Sequence, residues 1–191
     1  HPTIEQLAIA LGEEEADSEL MIALNRHTGK TPLYLAASGH GDLIRFQGLA
    51  KALGDVCDFY MLQPPTSLSI SSIDQLAELY TEQIESCGRP GFLAGFSVGG
   101  IAALETARKL QQRGMELPGI ILVDTVYPGR LLRGAFFWRS LGWLARRLNA
   151  QELSMNGRHL GAMFSDPGLV AQIEAMADYR VENYAGSALL I

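Results

Sequence analysis

Cysteines are scarce in this sequence, and it has neither long hydrophobic runs nor basic tracts. Cys57 and Cys87 alone allow neither a disulfide framework nor a CxxC metal site. No stretch reaches the roughly 18 apolar residues of a membrane span, and no basic segment followed by an apolar one opens the chain. The 15 Lys and Arg residues against 21 Asp and Glu give a net charge of −6, which argues against nucleic-acid binding. We therefore expect a cytoplasmic protein that binds no nucleic acid, membrane, metal or cofactor directly.

The hydrophobic pattern predicts an α/β protein. Of the 191 residues, 48% are hydrophobic and 19% charged, which excludes a disordered chain. From Pro32 onward, short and almost continuous apolar runs alternate with amphipathic stretches, as in a parallel sheet covered on both faces. The predicted strands are 33–37, 57–62, 92–96 and 120–123, and the predicted helices are 42–53, 73–87 and 98–113. This order favours a doubly wound, mostly parallel sheet.

The remaining segments define the expected domain organisation. Residues 1–12 are predicted as a short helix, and residues 13–31 as a linker that contains another short helix at 19–26. The core is predicted at 32–127, and a helical insertion at 128–184, with helices at 130–148, 155–164 and 168–184. Residues 185–191 then return to the sheet as a strand. Such an insertion is typical of a lid over a binding site.

The central motif is Gly95-Phe96-Ser97-Val98-Gly99, a G-x-S-x-G sequence. It directly follows a predicted strand and precedes a predicted helix, which is the setting of the nucleophile elbow in α/β-hydrolases. The two glycines allow a sharp turn that presents Ser97 above the sheet, and the Val98 N–H is a predicted oxyanion donor. The alternative is an ordinary glycine-rich turn with an incidental serine.

A serine nucleophile needs an orienting acid and a second oxyanion donor. Asp124 follows the strand at 120–123, and active sites of open α/β sheets lie at that edge of the sheet. The second donor should come from the loop after the first core strand, where the backbone N–H of Gly39 is our candidate. The alternatives are a loop or capping aspartate and an ordinary turn.

The general base is not evident from the sequence. In this fold a histidine follows the acid in chain order, after the last strand. Of the four histidines, only His159 follows Asp124, and it lies in the predicted insertion, where we expect a surface or packing role. No histidine follows the strand predicted near residue 190. We therefore expect either that the sequence ends before the base and the core is incomplete, or that the domain has none.

From Pro32 to Ile191 the chain resembles the thioesterase domains that end nonribosomal peptide synthetase and polyketide synthase assembly lines. The resemblance rests on PLYLAASGHGDLIRFQGLAKAL, LQPP, PGFLAGFSVGGIAALETARKLQQRG and IILVDT. It favours Asp124 as the acid over Asp166 and Asp178, and it matches Glu105 to a common helical glutamate. The segment HPTIEQLA is also similar to the last helix of a carrier domain.

The resemblance implies release of an acyl or peptidyl chain from the phosphopantetheine thioester of a carrier domain through a Ser97 acyl-enzyme, by hydrolysis or cyclisation. It also implies that the insertion covers the acyl chain. The candidate channel residues are Phe136, Phe137, Trp138, Trp143 and Leu144, for which ordinary packing is the alternative. The arginines of the insertion are candidates for contacting an acidic carrier domain or the pantetheine phosphate, with a solvated helix face as the alternative, namely Arg130, Arg133, Arg139, Arg146 and Arg147.

Three alternatives remain open at this point. One is a stand-alone esterase or lipase of the same fold, and another is a non-catalytic binding module that lacks the base. The third is a membrane-surface role for the basic, aromatic segment 130–148.

Overall fold

A mostly parallel sheet forms the centre of the fold. The computed structural model of the chain describes residues 20–25, 29–38, 42–64, 70–125, 154–155, 158–159, 167–176 and 179–191. Its strands are β1 (Met21–Ala23), β2 (Pro32–Ala36), β3 (Asp58–Leu62), β4 (Phe92–Phe96), β5 (Ile120–Val123), β6 (Ser154–Met155), β7 (Arg158–His159) and β8 (Ala188–Leu190). Six of them form one sheet in the order β1-β3-β2-β4-β5-β8, in which only the β1–β3 pair is antiparallel.

Helices pack on both faces of this sheet, which confirms the predicted α/β fold. The helices are α1 (Asp42–Ala52), α2 (Ile73–Cys87), α3 (Gly99–Gln112) and α4 (Pro167–Met176). One core cluster joins α2, α3 and α4 to the sheet, and a smaller one joins α1 to the opposite face. Fully burying a large aliphatic side chain contributes about 1.5–3 kcal/mol, so these two clusters hold the helices in place.

Helices α2 and α3 also share a row of ion pairs on their exposed side. Lys109 lies 2.8 Å from Asp74 and 3.0 Å from Glu78, while Arg113 pairs with Glu78 and lies 2.6 Å from Glu85. The hydrogen bonds from Lys109 and then Arg113 lower the pKa of the Glu78 carboxyl below its ordinary value. These contacts fix how α3 lies along α2.

The segment at 21–23 corrects two predictions. It forms β1, with Met21 opposite Leu62 and Ala23 opposite Tyr60, so the helix predicted at 19–26 is wrong. Part of the linker predicted at 13–31 therefore belongs to the sheet. All three side chains of β1 are partly buried, and three residues are too few to show a two-residue period. Its pairing with β3, rather than any local pattern, makes this segment a strand.

The helix predicted at 155–164 is also wrong, because β6 and β7 form an antiparallel pair there. Met155 lies opposite Arg158, and Ser154 lies opposite His159. The two intervening residues, Asn156 and Gly157, are the pair that most favours a two-residue hairpin connection, and this signal was in the sequence.

The helix predicted at 168–184 is shorter in the structure, where α4 ends at Met176. Side chains of α3 bind the backbone that follows it. Arg108 Nε donates to the Asn183 carbonyl at 3.2 Å, and Gln111 Nε2 donates to the Ala185 carbonyl at 3.2 Å. These two carbonyls accept hydrogen bonds from side chains of α3, whereas in the predicted helix they would accept them from backbone N–H groups. The helices predicted at 1–12 and 130–148 lie outside the described residues.

Candidate active site

Ser97 lies between β4 and α3, in the strand–turn–helix setting that the motif predicts. Its φ is +53°, a left-handed conformation that costs a residue with a side chain about 1–3 kcal/mol. Its N–H donates to the Val123 carbonyl at 2.8 Å, and its carbonyl accepts the Gly100 N–H at 3.2 Å. The surrounding hydrogen bonds therefore hold the turn in a strained geometry and place Ser97, partly buried, at the carboxyl edge of the sheet.

The two motif glycines allow backbones to approach too closely for a side chain. A Cβ on Gly95 would lie 2.7 Å from the Gly99 carbonyl oxygen, inside the turn. A Cβ on Gly99 would lie 2.9 Å from the carbonyl carbons of Ala36 and Ala37, at the end of β2. Both distances are shorter than real Cβ contacts, so the turn requires glycine at these positions.

Asp124 occupies the corresponding position on the neighbouring strand. Phe96 and Val123 are register partners in the β4–β5 pair, so Ser97 and Asp124 follow directly on adjacent parallel strands. Asp124 has φ +47°, and among the described residues it and Ser97 alone combine positive φ with a side chain. Its N–H donates to the carbonyl of Ile191, the residue after β8, at 2.9 Å, and Asp124 itself is exposed.

The Val98 N–H is well placed to donate a hydrogen bond to an anion. Val98 is 5% exposed and has helical dihedrals (φ −61°, ψ −37°) immediately before α3. The first N–H groups of a helix have no intrahelical acceptor, and no described residue accepts this one. The group therefore combines a free donor with the positive end of the α3 dipole. Gly39, the other predicted donor, lies outside the described residues.

Two polar side chains that the sequence analysis missed hold the segment leading to Gly39. Ser38 Oγ donates to the Phe96 carbonyl at 2.6 Å, which ties the end of β2 to the residue before Ser97. Gln172, fully buried on α4, donates from Nε2 to the carbonyls of Ala37 and Ser38 at 3.3 and 3.2 Å. A glutamine among the apolar residues of α4 was the only signal for the second contact.

The network behind α3 fixes the helix that follows Ser97. Glu105 is buried and accepts hydrogen bonds from Arg108 at 2.6 Å and from the Tyr179 hydroxyl at 2.5 Å. Burial, followed by this bond to Glu105, raises the pKa of Tyr179, so its hydroxyl stays protonated as a donor. The glutamate that the sequence analysis singled out thus joins α3 to the chain after α4.

The remaining candidate residues, namely the five channel residues and the five arginines of the insertion, lie outside the described part of the chain. The histidines His1, His27 and His40 lie outside it as well, and only the backbone of His159 is described, in β7. Within that part, no three His, Cys, Asp or Glu side chains cluster closely enough to hold a metal ion. No described helix is long and apolar enough to cross a membrane.

The parallel sheet, the strained serine turn and the aspartate on the next strand define an α/β-hydrolase. The family model for the thioesterase domain matches residues 31–135, more than half of the chain. The chain therefore belongs to the thioesterase domain family. In that family a serine acyl-enzyme is the general mechanism.

Similar proteins agree with this assignment. The chain is 30% identical over 138 residues to the orsellinic acid synthase of Beauveria bassiana, across 66% of this chain and 6% of that protein. It is 33% identical over 139 residues to the chondramide synthase cmdD of Chondromyces crocatus, across 68% of this chain and 4% of that protein. It thus spans less than a tenth of the length of either synthase.

Among solved structures, the chain is similar to YbtT, described as a type II thioesterase from the yersiniabactin NRPS/PKS biosynthetic pathway. The TM-score is 0.63 at 25% sequence identity, and the similarity covers 90% of this chain and 77% of that one. The likeness covers most of this chain and supports the α/β-hydrolase assignment.

Proposed function

We propose that this chain releases an acyl or peptidyl chain from the phosphopantetheine thioester of a carrier domain, with Ser97 as the nucleophile. Membership of the thioesterase family supports the reaction class. The observation that carries the assignment of residues is the left-handed backbone of Ser97 and Asp124, which follow the ends of two adjacent parallel strands. Strain of this kind clusters at active sites, because the surrounding structure must maintain it.

In the first half of the proposed reaction, Ser97 Oγ attacks the thioester carbonyl carbon. A general base removes the hydroxyl proton, and the N–H of Val98 stabilises the negative charge that forms on the carbonyl oxygen. The C–S bond then breaks, and the thiol of the phosphopantetheine arm leaves with the proton. The second oxyanion donor is proposed to come from the loop after β2, at Gly39.

In the second half, water or a nucleophile within the acyl chain attacks the ester carbonyl. The bond to Ser97 Oγ breaks, and the serine recovers its proton, giving a free acid or a cyclic product. Asp124 is proposed to orient the protonated base, as the acid does in other serine triads. None of the described side chains is assigned as that base.

The carrier partnership is proposed from the kind of relatives that the chain matches. The two curated relatives named above are synthases, of which this chain covers only a small part. A thioesterase-like region within so long a polypeptide has its substrate delivered by another part of the assembly. Residues 136–138 and 143–144 are proposed to line the acyl channel, and the arginines of the insertion are proposed to dock the carrier.

The test uses the full natural polypeptide and a fluorophosphonate probe, which reacts with an activated serine. We expect labelling of the wild type and none of Ser97→Ala, whose turnover of an acyl-pantetheine thioester should fall by up to about 10⁶. Ser86→Ala is the matched control, because Ser86 is an exposed serine whose hydroxyl donates only within α2, to the Gln83 carbonyl at 2.8 Å.

Three outcomes would contradict the proposal. Equal labelling of the wild type and Ser97→Ala would show that Ser97 is not the activated nucleophile. An unlabelled wild type with no turnover would favour a non-catalytic binding module. Faster turnover of simple oxygen esters than of carrier-bound thioesters would favour a stand-alone esterase.

A further inference from the structure

Gln172 is an unusual residue for its position. It lies on α4, where Ile173, Ala175 and Met176 are buried in the main core, and its own side chain is completely buried. Burying an amide costs free energy unless its polar atoms are hydrogen-bonded, and an aliphatic residue would fill the same space without that cost. The contacts of the amide should therefore show why a glutamine occupies this position.

Both hydrogen bonds of Gln172 go to one short stretch of backbone. Its Nε2 donates to the Ala37 carbonyl at 3.3 Å and to the Ser38 carbonyl at 3.2 Å, directly after β2. Its Oε1 is buried and accepts no hydrogen bond from any described residue. The side chain thus contributes its donors to this stretch, while its acceptor has no partner among the described residues, a pattern that stability alone does not favour.

The sheet holds the same stretch of backbone from its other side. The Ala37 N–H donates to the Leu62 carbonyl at 2.8 Å, and Ser38 Oγ donates to the Phe96 carbonyl at 2.6 Å. These contacts come from β3 and β4. Among the described contacts, the bonds from Gln172 are the ones that join this stretch to the region predicted as the insertion.

Fixing the Ser38 carbonyl has a direct consequence for the next N–H group. A carbonyl and the N–H that follows it belong to one planar peptide unit, so they point in opposite directions and turn together. A hydrogen bond to the Ser38 carbonyl therefore restricts rotation of the peptide plane that follows Ser38. The N–H of that plane is the second oxyanion donor of the proposed reaction.

We propose that Gln172 is a positioning residue: by binding the Ser38 carbonyl, it fixes the peptide plane from which the loop with the proposed second oxyanion donor begins, and it couples α4 to the active site. This inference rests on the proposed function. It predicts that placement of α4 against the end of β2 controls the acylation step, with little effect on substrate binding.

The first test compares Gln172→Met with the wild type in the full natural polypeptide. Methionine has a similar shape and no N–H donor. Because small misplacements of catalytic groups can reduce rates by about 100-fold, we expect labelling of Ser97 by the fluorophosphonate to slow by tenfold or more. With an acyl-pantetheine thioester, kcat should fall while KM stays within about twofold, since acyl binding is unchanged.

A second variant, Gln172→Glu, gives a signature that a purely structural role would not produce. Its protonated carboxyl can still donate to one of the two carbonyls, which are the hydrogen-bond partners that the described residues offer at this position. Once ionised, the carboxylate faces two carbonyl oxygens and repels them. We therefore expect its labelling rate, divided by that of the wild type, to fall as pH rises, while the same ratio for Gln172→Met stays constant.

Asn25→Leu is the matched control, because it also removes a side-chain amide that holds backbone, here between α1 and β3. Its Nδ2 donates to the Ala50 carbonyl at 2.8 Å, and its Oδ1 accepts the Phe59 N–H at 2.6 Å. We expect it to lower the melting temperature without slowing the labelling of Ser97.

The outcomes separate this inference from the proposed function. Normal labelling and kcat in folded Gln172→Met would overturn the inference alone, as would failure of both Gln172 variants to fold, because the amide would then serve overall stability. An unlabelled wild type, or labelled Ser97→Ala, would instead refute the proposed function, and the inference with it.

Discussion

Replacing Gly99 by alanine should disturb the active site and the fold together. The new Cβ would lie 2.9 Å from the carbonyl carbons of both Ala36 and Ala37, whereas carbon atoms in contact are separated by about 3.5–4.0 Å. Backbone cannot rotate away as a flexible side chain can. Either α3 or the end of β2 must therefore move by about 0.6 Å or more.

The expected magnitude follows from this displacement. Overpacking of a well-filled site costs about 1–3 kcal/mol, and Gly99 is the first residue of α3, so the gain from replacing glycine by alanine inside a helix does not offset it. For a domain of this size, a loss of about 1–3 kcal/mol lowers the melting temperature by roughly 2–12 °C. The stretch that moves precedes the proposed oxyanion donor, so labelling of Ser97 should slow by at least about tenfold.

The assay is thermal unfolding together with fluorophosphonate labelling. Gly48→Ala is the matched control, because Gly48 lies in α1 and a Cβ there would have no neighbour within 4 Å. The control should raise the melting temperature slightly and leave labelling unchanged. Glycine-to-alanine substitution is thus expected to lower the melting temperature at residue 99 and to raise it at residue 48. Wild-type stability and labelling in Gly99→Ala would refute the steric argument.

Two further predictions concern charges away from the site. Asp58 is buried and its carboxylate lies 2.6 Å from the Arg89 guanidinium, so Arg89→Met should lower the free energy of unfolding by about 3 kcal/mol, and adding Asp58→Asn should recover part of it. A loss as large in the double variant as in the single one would exclude the ion pair as the cause. Because Lys109 and Arg113 lower the pKa of Glu78, its contribution to stability is present at neutral pH and lost as pH falls below about 4.5. Unfolding in urea between pH 7 and pH 3 should therefore show a weaker pH dependence for Glu78→Gln, and an unchanged dependence would contradict this.

The sequence predicts best those elements whose local residue pattern agrees with their packing in the fold. The strands at 92–96 and 120–123 match β4 and β5, and the helix at 73–87 matches α2. Burial on both faces leaves an apolar run, and α2 has in addition Ser72 as an N-cap, whose hydroxyl accepts the Gln75 N–H, and Gly88 as a left-handed C-cap. Local chemistry and tertiary packing agree in these elements.

The sequence fails where a distant partner determines the local structure. β1 is a strand because β3 offers it an edge, and α4 ends at Met176 while Arg108 and Gln111 bind carbonyls further on. The same distinction holds at the site. Strand order and the G-x-S-x-G motif were enough to predict Ser97 and Asp124 at the ends of adjacent strands. The contact of Gln172 with Ser38 joins residues 134 positions apart in sequence, so no local pattern indicates it.

The left-handed backbone at Ser97 and Asp124 means that the residues that would be most stable at these positions are not those that the proposed reaction needs. Glycine would adopt both conformations without steric cost, yet it supplies neither a hydroxyl nucleophile nor a carboxylate. Selection for stability alone would thus drive both positions toward residues without the proposed activity. Replacing either residue by glycine should therefore raise the amount of folded protein and lower the rate of turnover. These two positions exchange stability for catalytic activity.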